Sequence, residues 1–544
     1  MAKIEEMLAG KRVLAIDDLV ESRSAMKKML VILGADEVDV AKDGNEATEY
    51  ILHNDYHIII SDYNLGKGRD GQQILEEARF THRLKAAATF VMLTGENAMD
   101  MVMGAVEYEP DDYVTKPFTI DVMRQRLTRI LTIKESLKPI NDAIDARQNE
   151  KALSICDLFI DKQPRLKLRV LRIKGRTLMR LKRFDEALEL YNAVLNERDI
   201  NWALLGKATC LFNLEQQDEA ESILNYTIKL HPQYVQCYDL LSKIHVKHKK
   251  LQSAQEDLMR AVQVSPKQVL RQMELGRLAF ANKDEAVAEK AFRQSMRLAR
   301  HSCYRSAKNY LLYAKSVQHK ISTANNRDSR DGSKDAFRAL DEVKALYKDN
   351  NDYVFEATIL EGATFTNLGK EEDAKACAKK AADLLDHVMN PSGVQQLSMV
   401  QLYLDTNQHA KAQDLLAEIE KRDDLNKSEA RELKKSQDQI SETVVRQYTT
   451  EINDRAIEFF ERGQLTQAIE LFDKATVYKE AGLAVLLNAI QTKITYMDQR
   501  APSREMVNSV NDLLERVGSI PVSDERYSRW QQLIKNQQRL IRSL

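Results

Sequence analysis

Five alanines recur along the middle of this 544-residue chain: Ala152, Ala187, Ala220, Ala254 and Ala288 follow one another at intervals of 35, 33, 34 and 34. A period of about 34 residues holds one pair of helices and is too short for a domain, so each unit must bury its apolar face against the next. Twelve residues before the last four stand Gly175, Ala208, Ser242 and Gly276, small enough for two helices of a hairpin to approach closely. Four residues after each alanine come Cys156, Tyr191, Leu224, Leu258 and Phe292, a bulky inner position. Pro164, Pro232 and Pro266 fall where one unit must end and the next begin.

This pattern resembles the tetratricopeptide (TPR) family, and the register returns at Gly362 and Ala374, then more loosely at Ala412 and at Ala456 with Ala468. The family's aromatic at the fourth position is mostly missing. The resemblance implies an all-α, TPR-like superhelical solenoid that binds protein. Helices are expected at about 304–317 and 334–347, with the polar stretch 321–333 as an exposed inserted loop. Residues 421–448 are charge-rich and read as a solvated helical connection, and the end of the chain from Ser523 reads as a capping helix.

The first quarter follows a different rule. Val13 to Ile16 ends in Asp17-Asp18, Ile58 to Ser61 in Asp62, Phe90 to Leu93 in Thr94-Gly95, and Tyr113 to Thr115 in Lys116-Pro117. Short apolar runs with polar tips read as buried parallel strands. Between them Met26, Met29, Leu30 and Leu33 form one helical stripe, and further helices fit about 45–52, 72–83 and 99–106 and from Ile120. Val38 to Ala41 is the fifth strand. In a doubly wound sheet the carboxyl ends of the strands share one crevice, so three acids, a hydroxyl and an ammonium converge there.

Asp17-Asp18, Asp62, Thr94 and Lys116-Pro117-Phe118 resemble, in type and order, the receiver domain of bacterial response regulators. The resemblance covers roughly the first 125 residues and implies a flavodoxin-like α/β domain of five parallel strands. It also implies that Asp62 accepts a phosphoryl group from a sensor histidine kinase or phosphotransfer protein. Asp18 and Asp62 would bind Mg²⁺ directly, the Asn64 backbone carbonyl would add a ligand, and Asp17 would act through water. Lys116 would neutralise a phosphoryl oxygen, its bond to Pro117 being cis. Thr94 and Tyr113 would form the switch that alters the face of the fourth helix, fifth strand and fifth helix. Leu65-Gly66 replaces the usual Met-Pro, and the following loop is about one residue longer. Taken alone, Asp17-Asp18 also reads as a helix N-cap.

These patterns give a receiver at 8–130, repeats at 138–300 and 301–420, the connection 421–448, and further repeats with a cap at 449–544. Formal net charge is −1, so no global field draws the chain to nucleic acid or lipid. Five scattered cysteines, no apolar run near the roughly 18 residues that span a bilayer, and no signal-like start imply a cytoplasmic protein.

One local excess of charge stands out. Arg165, Arg169, Arg172, Arg176, Arg180 and Arg183 share a stripe with no acid between Asp161 and Asp185. It reads either as a solvated face or as a docking site for acid, the chain's own 107–112 included. His245 and His248 are one turn apart, but lysines surround them and no nearby acid or cysteine completes a metal set. The repeat region carries no catalytic run, so no enzyme acting on a separate substrate is expected. The function read here is a phosphorelay response regulator whose Mg-dependent phosphorylation governs protein binding by the TPR region. A constitutive TPR scaffold with a vestigial receiver is the alternative, and a DNA-binding regulator lacks a reading element.

Overall fold

The computed structural model describes residues 4–66, 68–95, 109–323, 329–389, 391–479, 481–500 and 502–542. It divides into two compact units, Met1–Asp349 and Asn350–Leu544. The first opens with a parallel sheet in the order β2-β1-β3-β4-β5. The strands are β1 (Arg12–Ile16), β2 (Glu37–Ala41), β3 (Ile58–Asp62), β4 (Thr89–Gly95) and β5 (Asp112–Lys116).

Alternation along the strands builds two cores. Val13, Ala15, Ile58, Ile60, Val91 and Leu93 face the helices Val20–Ile32 and Ile120–Ser136, where Met26, Leu30, Met123 and Leu127 are buried. Leu14, Ile16, Ile59, Phe90 and Met92 face the helices Gly44–His53 and Gly71–Phe80. Because both faces are covered, the middle strands read as continuous apolar runs. β1 lies between β2 and β3, which opens a crevice at the carboxyl ends of β1 and β3. The helix expected at 99–106 lies outside the described residues.

Helical hairpins follow: Lys138–Asp145 with Asn149–Lys162, then Lys167–Arg180 with Phe184–Glu197, Asn201–Asn213 with Gln217–Leu230, Gln236–Lys247 with Leu251–Val264, and Val269–Ala281 with Glu285–Ala299. All five recurring alanines are fully buried. A methyl on Gly175 would meet the Tyr191 hydroxyl at 2.8 Å, and one on Gly276 would meet the Phe292 ring at 2.6 Å. The small and bulky positions of the sequence pattern are therefore partners in one contact. The turn inside each hairpin carries a left-handed residue, at Arg147, Lys182, Glu215, Lys249 and Lys283, with φ of 57° to 62°. These residues repeat with the alanine period.

Ala307–Thr323 and Ser329–Leu346 form the next pair. Both helices reach into the stretch expected to be a polar loop; residues 324–328 of it lie outside those described. In the second unit Asn351–Asn367 pairs with Glu371–Leu385, and Gly393–Asp405 with His409–Ile419. The charged connection is the front of a continuous 35-residue helix, Lys427–Glu461, which begins on an Asn426 capping box. Leu465–Thr476, Leu483–Gln499 and Arg504–Val517 follow, and Tyr527–Arg542 closes the unit with Leu533 and Leu540 buried. Among the described residues no helix is long and apolar enough to cross a membrane.

Candidate functional site

Parallel pairing brings the polar strand tips together. β3 and β4 align Asp62 with Leu93, and β4 and β5 align Thr94 with Thr115 and Gly95 with Lys116. Asp17, just past β1, is fully buried, and Asp62 is half-buried. The Lys116 ammonium bridges them, donating to Asp17 Oδ2 at 2.7 Å and to Asp62 Oδ2 at 2.6 Å. Asp18 is exposed, and carboxylate oxygens of Asp17, Asp18 and Asp62 lie within 4.8 Å of one another. Three carboxylates against one ammonium leave a surplus of negative charge lined by oxygen, a donor set suited to a hard divalent cation.

The N-cap alternative for Asp17-Asp18 does not hold. Leu19 occupies that position and makes no side-chain cap bond. Asp17 Oδ1 instead accepts from the Leu19 N–H at 2.9 Å, and the Asp17 carbonyl accepts from Arg23. Burial raises the Asp62 carboxyl above its ordinary range, and Asp17 adds to this, while Lys116 and the Asn64 N–H oppose it. Burial works against the charge on Lys116, but its two carboxylate partners prevail and raise its pKa.

The Lys116–Pro117 peptide is cis. Thr94 is buried at the end of β4. Tyr113 packs on the core beside Tyr63 and Met92, and its buried hydroxyl has no hydrogen-bond partner among the described residues. Asn64 Oδ1 faces the Gly66 N–H at 3.4 Å. Gly66, where the resemblance leads one to expect Pro, has φ +71°, and a methyl there would lie 3.2 Å from Asp18 Oδ2. A methyl on Gly71 would come within 2.3 Å of the Asp62 carbonyl oxygen, so the next helix can start directly behind the acceptor strand only with Gly at that position.

The stripe of six arginines is shortened by the hairpin geometry. Arg169, Arg172, Arg176 and Arg180 lie on the helix Lys167–Arg180. Arg165 belongs to the preceding 3₁₀ turn, and Arg183 follows the left-handed Lys182 to pair with Glu150 and Glu186. Arg172 and Arg176 both grip Glu109, on Oε1 and Oε2 respectively. Of the acidic stretch offered as a partner, residues 107 and 108 lie outside those described. Burial disfavours the Glu109 charge, but Arg176, Arg172 and Arg79 prevail and hold its carboxyl below the usual range.

Sequence reasoning missed a second contact between receiver and repeats. Lys267 donates to the Tyr63 hydroxyl at 3.1 Å, one residue past Asp62, and faces Asp70 at 3.6 Å. Ser302 donates to Glu76 at 3.0 Å, Arg69 to the His301 carbonyl at 3.0 Å, and the Phe80 and Tyr304 rings meet edge to face. These partners lie at least 197 residues apart, and no local pattern announces them. The histidine pair also needs correction. Acids from neighbouring helices do surround it: His245 bonds Asp257 at 2.7 Å, and ligand atoms of Asp218, Glu221 and His248 lie within 4.8 Å of one another.

A doubly wound sheet with this acid cluster, joined to helical hairpins, defines a receiver-type domain carrying a repeat region. The response regulator receiver domain family matches residues 13–128, and the family described as Psidin, N-terminal TPR repeats region, matches residues 135–270. A probable chemotaxis protein CheY of Rhizobium etli is 31% identical over 119 residues, 22% of this chain and 91% of that protein. The chemotaxis protein CheY of Pseudomonas aeruginosa is 29% identical over 22% of this chain and 94% of its own length. A solved Francisella response-regulator receiver domain shares 26% identity, covering 23% of this chain and 98% of that one, with a TM-score of 0.21. The chain belongs to the response regulator receiver family through its N-terminal domain.

Proposed function

We propose that the protein is a phosphorelay response regulator: Asp62 takes a phosphoryl group from a sensor histidine kinase or phosphotransfer protein, and the TPR region delivers the output through protein binding. The bridge from Lys116 to both Asp17 and Asp62, with Asp18 alongside, is the observation that carries this reading. An Asp62 oxygen attacks phosphorus, the bond from phosphorus to the donor nitrogen breaks with its electrons going to the imidazole, and an acyl phosphate results.

Asp17, Asp18 and Asp62, with the Asn64 carbonyl, would hold Mg²⁺. The ion would supply charge neutralisation between the two anions. Lys116 balances charge on the transferred group, and Thr94 bonds it from the neighbouring strand tip. Tyr113, whose hydroxyl is unsatisfied in its present position, is free to gain a partner by turning. The protein acts on no separate substrate and works in the cytoplasm.

The output rests on the receiver's contacts with the repeats at Glu109, Tyr63 and Glu76, all within the first unit. Affinity capture with wild type and Asp62→Ala, each with and without a small phosphodonor and Mg²⁺, tests it. A partner set that changes only for phosphorylated wild type is expected. Identical sets in all four samples would leave a constitutive scaffold.

A further inference from the structure

A cleft of about 470 Å³ lies between the receiver and the first repeats, away from the Asp62 cluster. One wall is the helix Lys167–Arg180, which presents Arg169, Arg172, Arg176 and Arg180 at a spacing that keeps them on one face. The opposite wall carries Arg79, Arg129 and Lys134. Ile130, Ile133, Leu137 and Ile144 supply an apolar floor. The volume falls within the range of roughly 300–1,000 Å³ usual for small-molecule sites, and an apolar lining with convergent charged groups is their usual make-up.

Among the described residues, seven cations line this cleft against two acids, Glu109 and Asp111. Lys134 is engaged by Asp111, and Arg129 by Asp112. Glu109 takes both Arg172 and Arg176, and its carbonyl accepts from Arg79. Arg169 and Arg180 have no partner among the described residues, and the Arg172 Nε is buried without one. Holding like charges together in a half-enclosed space is unfavourable unless an anion fills it, and one carboxylate shared by two guanidiniums leaves the surplus unmet.

We propose that this cleft binds a small molecule carrying a diphosphate-type polyanion, which displaces Glu109 from Arg172 and Arg176 and lies over the isoleucine floor. Planar guanidinium forks match phosphate oxygens in pairs, which suits arginine better than lysine to this task. The four arginines are spaced over nearly the whole helix, so at least two anionic groups are needed to engage them.

The test is calorimetric titration of the full chain, in EDTA so that the carboxylate cluster holds no divalent ion, with inorganic pyrophosphate in one arm and ADP in the other. Saturable binding is expected in at least one arm, with ADP the tighter if the floor takes a nucleoside and pyrophosphate equal to it if charge alone is read. Arg169→Ser with Arg180→Ser should weaken binding at least tenfold, whereas Lys162→Ser with Arg165→Ser, an equal loss of charge outside the cleft, should not. Glu109→Gln removes the competing carboxylate and should tighten binding about tenfold, the scale of one partly desolvated charge pair. No saturable binding in either arm, equal loss in both double variants, or no gain in Glu109→Gln overturns the proposal.

Discussion

Glu109→Gln is the most informative single change at the junction of receiver and repeats. In the native chain Arg176 Nη2 lies 2.5 Å from one Glu109 oxygen, and Arg172 holds the other. The Glu109, Arg176 and Arg172 side chains are 31%, 56% and 36% exposed, so neither pair reaches the strength of a buried ion pair. Each bond to a charged group is worth about 1.5–3 kcal/mol when shielded and well under 1 kcal/mol when fully exposed. About 1 kcal/mol each is a reasonable middle value, or about 2 kcal/mol for the clamp, which is about 30-fold in the equilibrium between closed and open contact. Hydrogen exchange by peptide mass, under conditions where opening is the limiting equilibrium, should show that acceleration in peptides covering 109–116 and 167–180. If the contact opens as one body, the helix Gly71–Phe80 accelerates with them. A double-mutant cycle with Arg176→Gln should give a coupling of about 1 kcal/mol. Unchanged exchange in Glu109→Gln, or zero coupling, would refute the clamp.

Three further outcomes follow from the same geometry. The folded-state pKa of Glu109 lies below its ordinary 4.5, so its clamp contributes fully above that value and is lost as pH falls through the depressed one; the exchange difference between wild type and Glu109→Gln should therefore vanish in acid. Gly71→Ala forces a methyl to within 2.3 Å of the Asp62 carbonyl oxygen, so a loss of about 1–3 kcal/mol is expected in urea unfolding, with slower phosphorylation of Asp62. Lys116→Met leaves the buried Asp17 without its cation and should cost about 3 kcal/mol without divalent ions, and added Mg²⁺ should raise the melting temperature of this variant more than that of wild type.

Much of this molecule can be read along the chain because its determinants are local. Strands buried on both faces produced the apolar runs at β1, β3 and β4, and their tips carried the acids, Thr94 and Lys116 into one crevice. The alanine period held because close helix contact tolerates only small side chains at Gly175 and Gly276. The hairpin turns stayed hidden: Lys182, Glu215, Lys249 and Lys283 adopt positive φ without the Gly or Asn that usually signals it. The arginine stripe read from spacing runs too far for the same reason, since the helix ends at Arg180 and the left-handed Lys182 turns the chain before Arg183. The partners of His245, and the bond from Lys267 to Tyr63, come from separate helices and become visible only once the array is folded.

Intact-mass analysis of the full chain with a small phosphodonor tests the central claim most directly. With Mg²⁺ present, one acid-labile phosphoryl increment should map to Asp62 and be absent from Asp62→Ala and from wild type in EDTA. An increment that survives in Asp62→Ala, or a folded wild-type chain that never acquires one, would contradict the account.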